Sequence, residues 1–256
     1  MAFTLITGAS GVLGGEFVKI YALRGENLLL TGQCEERLAL VKEKYSNVAQ
    51  IKTFACSLSE QSERERLFEF IESEGISVSK IIHCAGNDNQ YAFEKYSQQS
   101  LLGQARVNYE APLSLTLYCL QRFPVQEILV ISSLTAVTPT PYFAVYTSSK
   151  RALWDFFTAI KRENEIKITV ALPGSIPTRK DVIADIKKQG LTGKLSSKPP
   201  EKVAKKCVKA LEKNKDKVVI GFYNIVLYFL SKITPLKLQQ KIMAKKFKNK
   251  SKENFK

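Results

Sequence analysis

The sequence predicts an α/β fold, a doubly wound parallel sheet of about seven strands with helices on both faces. Two observations carry that expectation. Short, continuous apolar runs alternate with helix-period segments from the first residues onward, and a Gly-rich turn follows the first run.

Taken in order, Phe3–Thr7, Asn27–Thr31, Ile51–Ala55, Lys80–Cys84, Glu127–Ser132, Lys167–Ala171 and Lys217–Ile220 read as strands. They are apolar along most of their length rather than alternating, as expected where helices cover both sheet faces. Helical segments fall near 12–23, 35–45, 60–74, 98–121, 143–163 and 200–213, which makes each connection a crossover between parallel strands. Residues 176–200 read as a long, partly helical excursion. At 256 residues one substantial core is expected, with 1–221 as a single domain and 222–256 as an apolar-then-basic tail.

The hydrophobic fraction of 45% is that of a soluble globular protein. No apolar run approaches the ~18 residues that span a bilayer. The start lacks a basic region or a small-residue cleavage site, so a cytoplasmic protein is expected. Five cysteines are scattered without a C-x-x-C pair, and the one histidine, His83, reads as structural; no metal is expected. Net charge is +15, but residues 232–256 hold nine lysines against Glu253, a local +8 that leaves only +7 for the rest. The excess belongs to the tail, and no nucleic-acid partner is expected.

The turn after the first strand reads Thr7-Gly8-Ala9-Ser10-Gly11-Val12-Leu13-Gly14-Gly15. Glycines at 8, 11 and 14 permit a tight turn, close approach of backbone to a pyrophosphate, and a helix packed closely on its strand. The second strand ends in Leu30-Thr31-Gly32-Gln33, without the acid that would bind ribose hydroxyls and repel a 2′-phosphate. With Gln33 and Arg37 able to meet that phosphate, NADP is favoured over NAD. Further on, Tyr146 and Lys150 stand four apart on a predicted helix, so both project from one face. An ammonium beside a phenol favours phenolate and draws its pKa down from ~10.

Together these segments resemble the short-chain dehydrogenase/reductase family, with its Rossmann-type sheet, from Phe3 to about Phe222. T-G-x-x-G-x-x-G resembles the cofactor turn, and His83-Cys84-Ala85-Gly86 stands where the family usually has N-N-A-G. Asn108, in V-N-Y-E-A-P, resembles the family's helix Asn. Ser133 precedes Tyr146 by thirteen residues, and Pro173-Gly174-Ser175-Ile176-Pro177-Thr178 resembles the P-G-x-[IV]-x-T signature. Three departures stand out. The glycine spacing is that of the longer sugar-nucleotide branch, Cys84 replaces an Asn, and Ser57 replaces an Asp that often meets adenine.

The resemblance implies an NAD(P)-dependent carbonyl reductase or alcohol dehydrogenase. Tyr146 would be the general acid, Lys150 would lower its pKa and hold the nicotinamide ribose, Ser133 would bond the carbonyl oxygen, and Asn108 would place a water. It also implies cofactor contacts from Gly8, Ser10, Gly11, Val12, Leu13 and Gly14, from Gln33 and Arg37, and from Ser57 and Leu58. Cys84, Ala85, Gly86, Tyr146 and Lys150 would add to these, with Pro173, Gly174, Ile176 and Thr178 closing the far side. The substrate pocket would lie among Asn87–Phe93, Leu134–Phe143 and the segment after Pro173, with Tyr91, Phe93, Tyr142 and Phe143 as aromatic lining. The implied partners are a small-molecule carbonyl or alcohol and a second copy, in a homodimer or homotetramer. Two alternatives stay open: a non-catalytic nucleotide-binding scaffold with a basic tail, and a sugar-nucleotide epimerase or dehydratase. The tail, F-Y-N-I-V-L-Y-F-L and then lysines, can either lie on an anionic membrane or pack over the pocket or a partner. Its helical faces are mixed, since Leu236, Met243 and Phe247 fall on one side and Leu238 and Ile242 almost opposite.

Overall fold

The computed structural model describes residues 2–253. Its strands are β1 Ala2–Thr7, β2 Asn27–Gly32, β3 Ile51–Ala55, β4 Ser77–His83, β5 Glu127–Ile131, β6 Lys167–Pro173 and β7 Lys217–Ile220. They form one parallel sheet in the order β3-β2-β1-β4-β5-β6-β7. All seven predicted runs are strands. β4 starts earlier than its apolar run because Ser77 and Ser79 disguise that end, and its register with β1 shifts between Phe3 and Thr4.

Each continuous apolar run feeds two cores. Leu5, Leu29, Ile81, Ile128 and Val130 face one side, where they meet α3 (Gln61–Ser73), α5 (Ala111–Arg122) and α6 (Ala144–Ile160). Their sequence neighbours Ile6, Leu28, Leu30, Ile82 and Leu129 face the other, against α1 (Val12–Ala22), α2 (Glu35–Tyr45) and α9 (Pro200–Glu212). Successive residues point to opposite faces, so a strand covered on both sides is apolar throughout. Phe17 and Phe157 are fully buried anchors, each contributing roughly 1.5–3 kcal/mol by area.

The helix predicted over 98–121 is interrupted. α4 (Gln98–Ala105) and α5 are joined by a widened π turn at Arg106–Glu110. Pro112 has no N–H to bond the Asn108 carbonyl four residues back, which accounts for the break in the ladder at this point. After β6 the excursion forms α7 (Lys180–Lys188) and α8 (Gly190–Ser196). The tail forms α10 (Phe222–Ile233) and α11 (Leu236–Glu253). Strand order reverses between β1 and β4, and the crevice outside their carboxyl ends is where this sheet type receives ligands.

His83 ends β4 fully buried, its Nε2 2.8 Å from the Thr116 hydroxyl, while Nδ1 has no hydrogen-bond partner. Burial, with the nearby Lys150 charge second, pushes its pKa down to about 3. The unfolded chain therefore binds a proton that the folded chain refuses, and this stability is complete above pH ~6.5 and is lost as pH falls from there toward 3. Between pH 7 and pH 5 the loss should be about 2 kcal/mol. Urea titrations at both pH values should show that loss in the wild type and a smaller one in His83→Gln; equal losses would contradict the assignment.

Candidate active site

The Gly-rich turn is built by sterics. Gly8 takes φ 66°, and a Cβ there would lie 2.9 Å from the Ala85 Cα. A Cβ on Gly14 would lie 2.0 Å from the Gly8 carbonyl oxygen, so helix α1 can sit this close to β1 only without a side chain. Gly11 is the N-cap of α1 and brings no side-chain cap; Val12 behind it is 49% exposed. First-turn N–H groups without an intrahelical partner thus face the open crevice, a cradle that fits a pyrophosphate.

Thr7 joins this turn to the next loop, a role the sequence reading missed. Its hydroxyl accepts from the N–H groups of both Cys84 and Ala85 at 3.1 Å and lies 3.4 Å from the Ile82 carbonyl. A threonine at the end of a first strand signalled it. This bracing is done by Thr7 while burial pushes the Cys84 thiol up to about 12, leaving it an uncharged wall. Gln33 and Arg37 are exposed beyond the end of β2. Ser57 shares a hydrogen bond with Ser59 at 2.9 Å, and Leu58 is buried with its carbonyl held by Arg64 at 2.8 Å.

The four candidate catalytic residues converge at the ends of β4 and β5. Lys150 is 4% exposed and donates to the Ile131 carbonyl at 2.8 Å. Its Nζ and Asn108 Oδ1 flank Gly86: a Cβ on that glycine would lie 3.2 and 3.1 Å from them. The π turn carries Asn108 inward to 0% exposure, where its carboxamide clasps the backbone of Asn87. Oδ1 accepts from Asn87 N at 2.8 Å, and Nδ2 donates to Asn87 O at 2.7 Å and to Ser149 Oγ at 3.3 Å. Ser133 caps the short turn Leu134–Val137, accepting from Thr135 N at 3.2 Å.

Burial lowers the Lys150 pKa to about 8. Its Nζ lies 5.9 Å from the Tyr146 ring centroid. A lowered phenol is not what results. Burial raises Tyr146 to about 12, Asp88 adds to that, and Ser133 and Arg179 only oppose it. In this balance Tyr146 is a protonated phenol throughout the physiological range.

After β6, a Cβ on Gly174 would lie 2.6 Å from both Asn224 Nδ2 and Ser196 O, which seats α8 and α10 directly on the turn. Pro173 pairs with Ile220, Ile176 packs on the core covered by α1, α2 and α9, and Thr178 N donates to Ile176 O at 2.8 Å. Next to Thr178, Arg179 bonds Asp88 through both terminal nitrogens, at 2.8 and 3.1 Å, strapping the loop after β6 to the loop after β4. Neither residue was identified from sequence, because 91 positions separate them.

An aromatic wall completes the site. The Phe143 ring stacks on Tyr146 with centroids 4.4 Å apart, and Phe247 of α11 stacks on Phe143 at 5.5 Å. Gln90 donates to the Phe247 carbonyl at 3.4 Å, and Thr138 donates to Gln239 at the other end of α11. Of the other predicted lining aromatics, Tyr142 holds a left-handed φ of 62° just before Phe143, Tyr91 packs edge-on to Tyr96, and Phe93 is 67% exposed.

A family model for short chain dehydrogenases matches residues 2–187. Among curated proteins, the uncharacterized oxidoreductase DltE of Bacillus subtilis is 26% identical over 68% of this chain and 71% of its own. The 11-beta-hydroxysteroid dehydrogenase-like 2 of Arabidopsis thaliana is 32% identical over 68% of this chain and 59% of its own. Dehydrogenase/reductase SDR family member 7B of Xenopus laevis is 27% identical over 91% and 78%. Among solved structures, a Streptomyces avermitilis short-chain dehydrogenase superposes with TM-score 0.75 at 19% identity, covering 89% of this chain and 90% of that one. A Burkholderia cenocepacia short chain dehydrogenase in complex with NADP gives 0.73 at 16% identity, covering 85% and 95%. 4-Hydroxyisoleucine dehydrogenase complexed with NADH gives 0.72 at 19% identity, covering 86% and 97%.

Two adjacent glycines separate the steric argument from a general preference for small residues. Gly14→Ala should weaken NADPH or NADH binding at least tenfold by fluorescence titration, since its Cβ would strike backbone. Gly15→Ala, whose Cβ would meet only Ala9 O at 3.9 Å, should leave binding unchanged and gain up to ~1 kcal/mol of stability from helix propensity.

Proposed function

The chain belongs to the short-chain dehydrogenase/reductase family and is an NAD(P)-dependent oxidoreductase of carbonyls and alcohols; from that premise we propose that Tyr146 protonates the carbonyl oxygen in the reductive direction. The observation that carries this reading is the placement of Tyr146 beside a buried Lys150, with Ser133 and Asn108 around them. A nicotinamide dinucleotide supplies the hydride when bound. The other steps fall to this chain's side chains. Ser133 offers its hydroxyl to the same oxygen and stabilises the charge that develops there. Lys150, held on the Ile131 carbonyl, supplies the cation that assists the phenol and meets the ribose. Asn108 holds the Asn87 loop in place with its carboxamide and positions water toward Lys150.

NADP is the proposed cofactor, supported by Gln33 and Arg37 exposed beyond β2. The comparison of kcat/KM for NADPH and NADH, in wild type and in Arg37→Glu, tests this preference. The substrate is an apolar carbonyl, supported by the Phe143–Phe247 wall. A self-associated protein residing in the cytoplasm completes the reading, with the free thiols in keeping.

Tyr146→Phe should lower turnover of a ketone panel by on the order of 10²–10⁴-fold with dinucleotide affinity retained. Turnover near wild type would remove Tyr146 from the mechanism. Lys150 makes a separate prediction. Its ammonium persists below pH ~8 and is lost above it, so kcat/KM for the dinucleotide, which reports the free protein, should fall as pH rises through 8. In Lys150→Arg that limb should vanish whatever the residual rate, because a guanidinium keeps its proton.

A further inference from the structure

α10 turns its apolar side outward. Phe222, Ile225, Val226, Phe229, Leu230 and Ile233 recur at helical spacing on one face, and all are exposed, Phe222 at 82%, Phe229 at 63% and Ile233 at 79%. The inner face is held by Asn224, which bonds Ser196 and Ile220, and by Tyr228 packed near Trp154. Beyond the Thr234–Pro235 corner, Leu238 and Ile242 of α11 are exposed as well, while Phe247 is buried and Met243 half-buried. An exposed apolar stripe of this length on one helix marks an interaction site.

Charge selects the occupant. No Asp or Glu occurs between Lys217 and Lys252, and Lys232, Lys237, Lys241 and Lys245 are exposed along the same two helices. A second copy placed face to face would set these lysines against each other with no acid from this segment to pair them. A lipid surface with anionic headgroups accepts the apolar side chains and neutralises the lysines together. No helix among the described residues is long and apolar enough to cross a membrane.

We propose that α10 and the outer face of α11 dock on an anionic lipid surface, and that the carbonyl reduced at Tyr146 is carried on a lipid or acyl chain in that surface. The second part rests on the oxidoreductase reading. The link is α11, whose inner face walls the site through Phe247 stacked on Phe143, while its outer face carries Leu238 and Ile242. Docking therefore sets the mouth of the site beside the lipid.

Two measurements test the two parts separately. The full chain should sediment with vesicles of phosphatidylcholine mixed with phosphatidylglycerol, and far less with phosphatidylcholine alone. Phe229→Glu with Ile233→Glu should abolish the association. Lys237→Ala with Lys241→Ala, which leaves the apolar stripe intact, should weaken it about 25-fold, fivefold per lysine. Equal binding to neutral vesicles, or unchanged binding in either variant, would overturn the docking surface. So would a dimer in analytical ultracentrifugation that the Phe229/Ile233 variant dissociates, since the stripe would then belong to a second copy. In the second measurement, turnover of a long-chain ketone should rise when it is presented in anionic vesicles. The docking variants should lose that gain and keep their rate on a short soluble ketone. A gain that survives in them would overturn the substrate assignment. Vesicle binding without turnover of any carbonyl would uphold docking and reject the oxidoreductase reading.

Discussion

The site depends on a buried cation. Lys150 sits almost fully enclosed, where an unpaired ammonium is costly, and it is kept there by its bond to the carbonyl at the end of β5. Everything that must surround it follows from that constraint. Residue 86 must be glycine-sized, because a side chain there would press on both Lys150 Nζ and Asn108 Oδ1. Asn108 must point inward, and the proline at 112 opens the helix so that it does. His83, buried one step behind, must stay neutral so as not to add a second charge.

The same enclosure sets the protonation states. Burial moves Tyr146 and Lys150 in opposite directions, the phenol up and the ammonium down, because both lose solvation of their charged forms. The chain thereby holds a protonated donor next to a cation that is only weakly committed to its proton. A phenol in that state suits protonation of a carbonyl oxygen, and a carbonyl reduction needs that step. Asp88 and Arg179 act on Tyr146 from opposite signs while bonding each other, so the strap between the two loops also tempers the field at the phenol.

Much of the site was legible in the primary structure, for identifiable reasons. Tyr146 and Lys150 lie on one helix, where spacing alone places them on one face. Gly8 and Gly14 belong to a local turn whose steric demands are written in consecutive residues. The π turn was harder to read. V-N-Y-E-A-P identified Asn108 by resemblance, while its clasp on Asn87 joins a helix to a loop 21 positions earlier. Thr7 was overlooked because its two acceptor contacts fall on the other side of the switch point, in the loop after β4. Asp88 with Arg179 and Phe143 with Phe247 are pairings between distant loops and helices, and neither partner announces the other.

What the sequence by itself determined is the parallel sheet, the nucleotide turn and the Tyr146–Lys150 face, because each is decided by periodicity or by sterics within a few residues. The tertiary structure alone decided the direction of the tail. α11 has apolar residues on two faces, and no periodicity says which is inner. Stacking of Phe247 on Phe143 turned one face to the site, and what remained, Leu238 and Ile242 with their lysines, was left to solvent. The phenol's pKa was likewise beyond reach of spacing, since it is set by how much of Tyr146 the folded chain encloses.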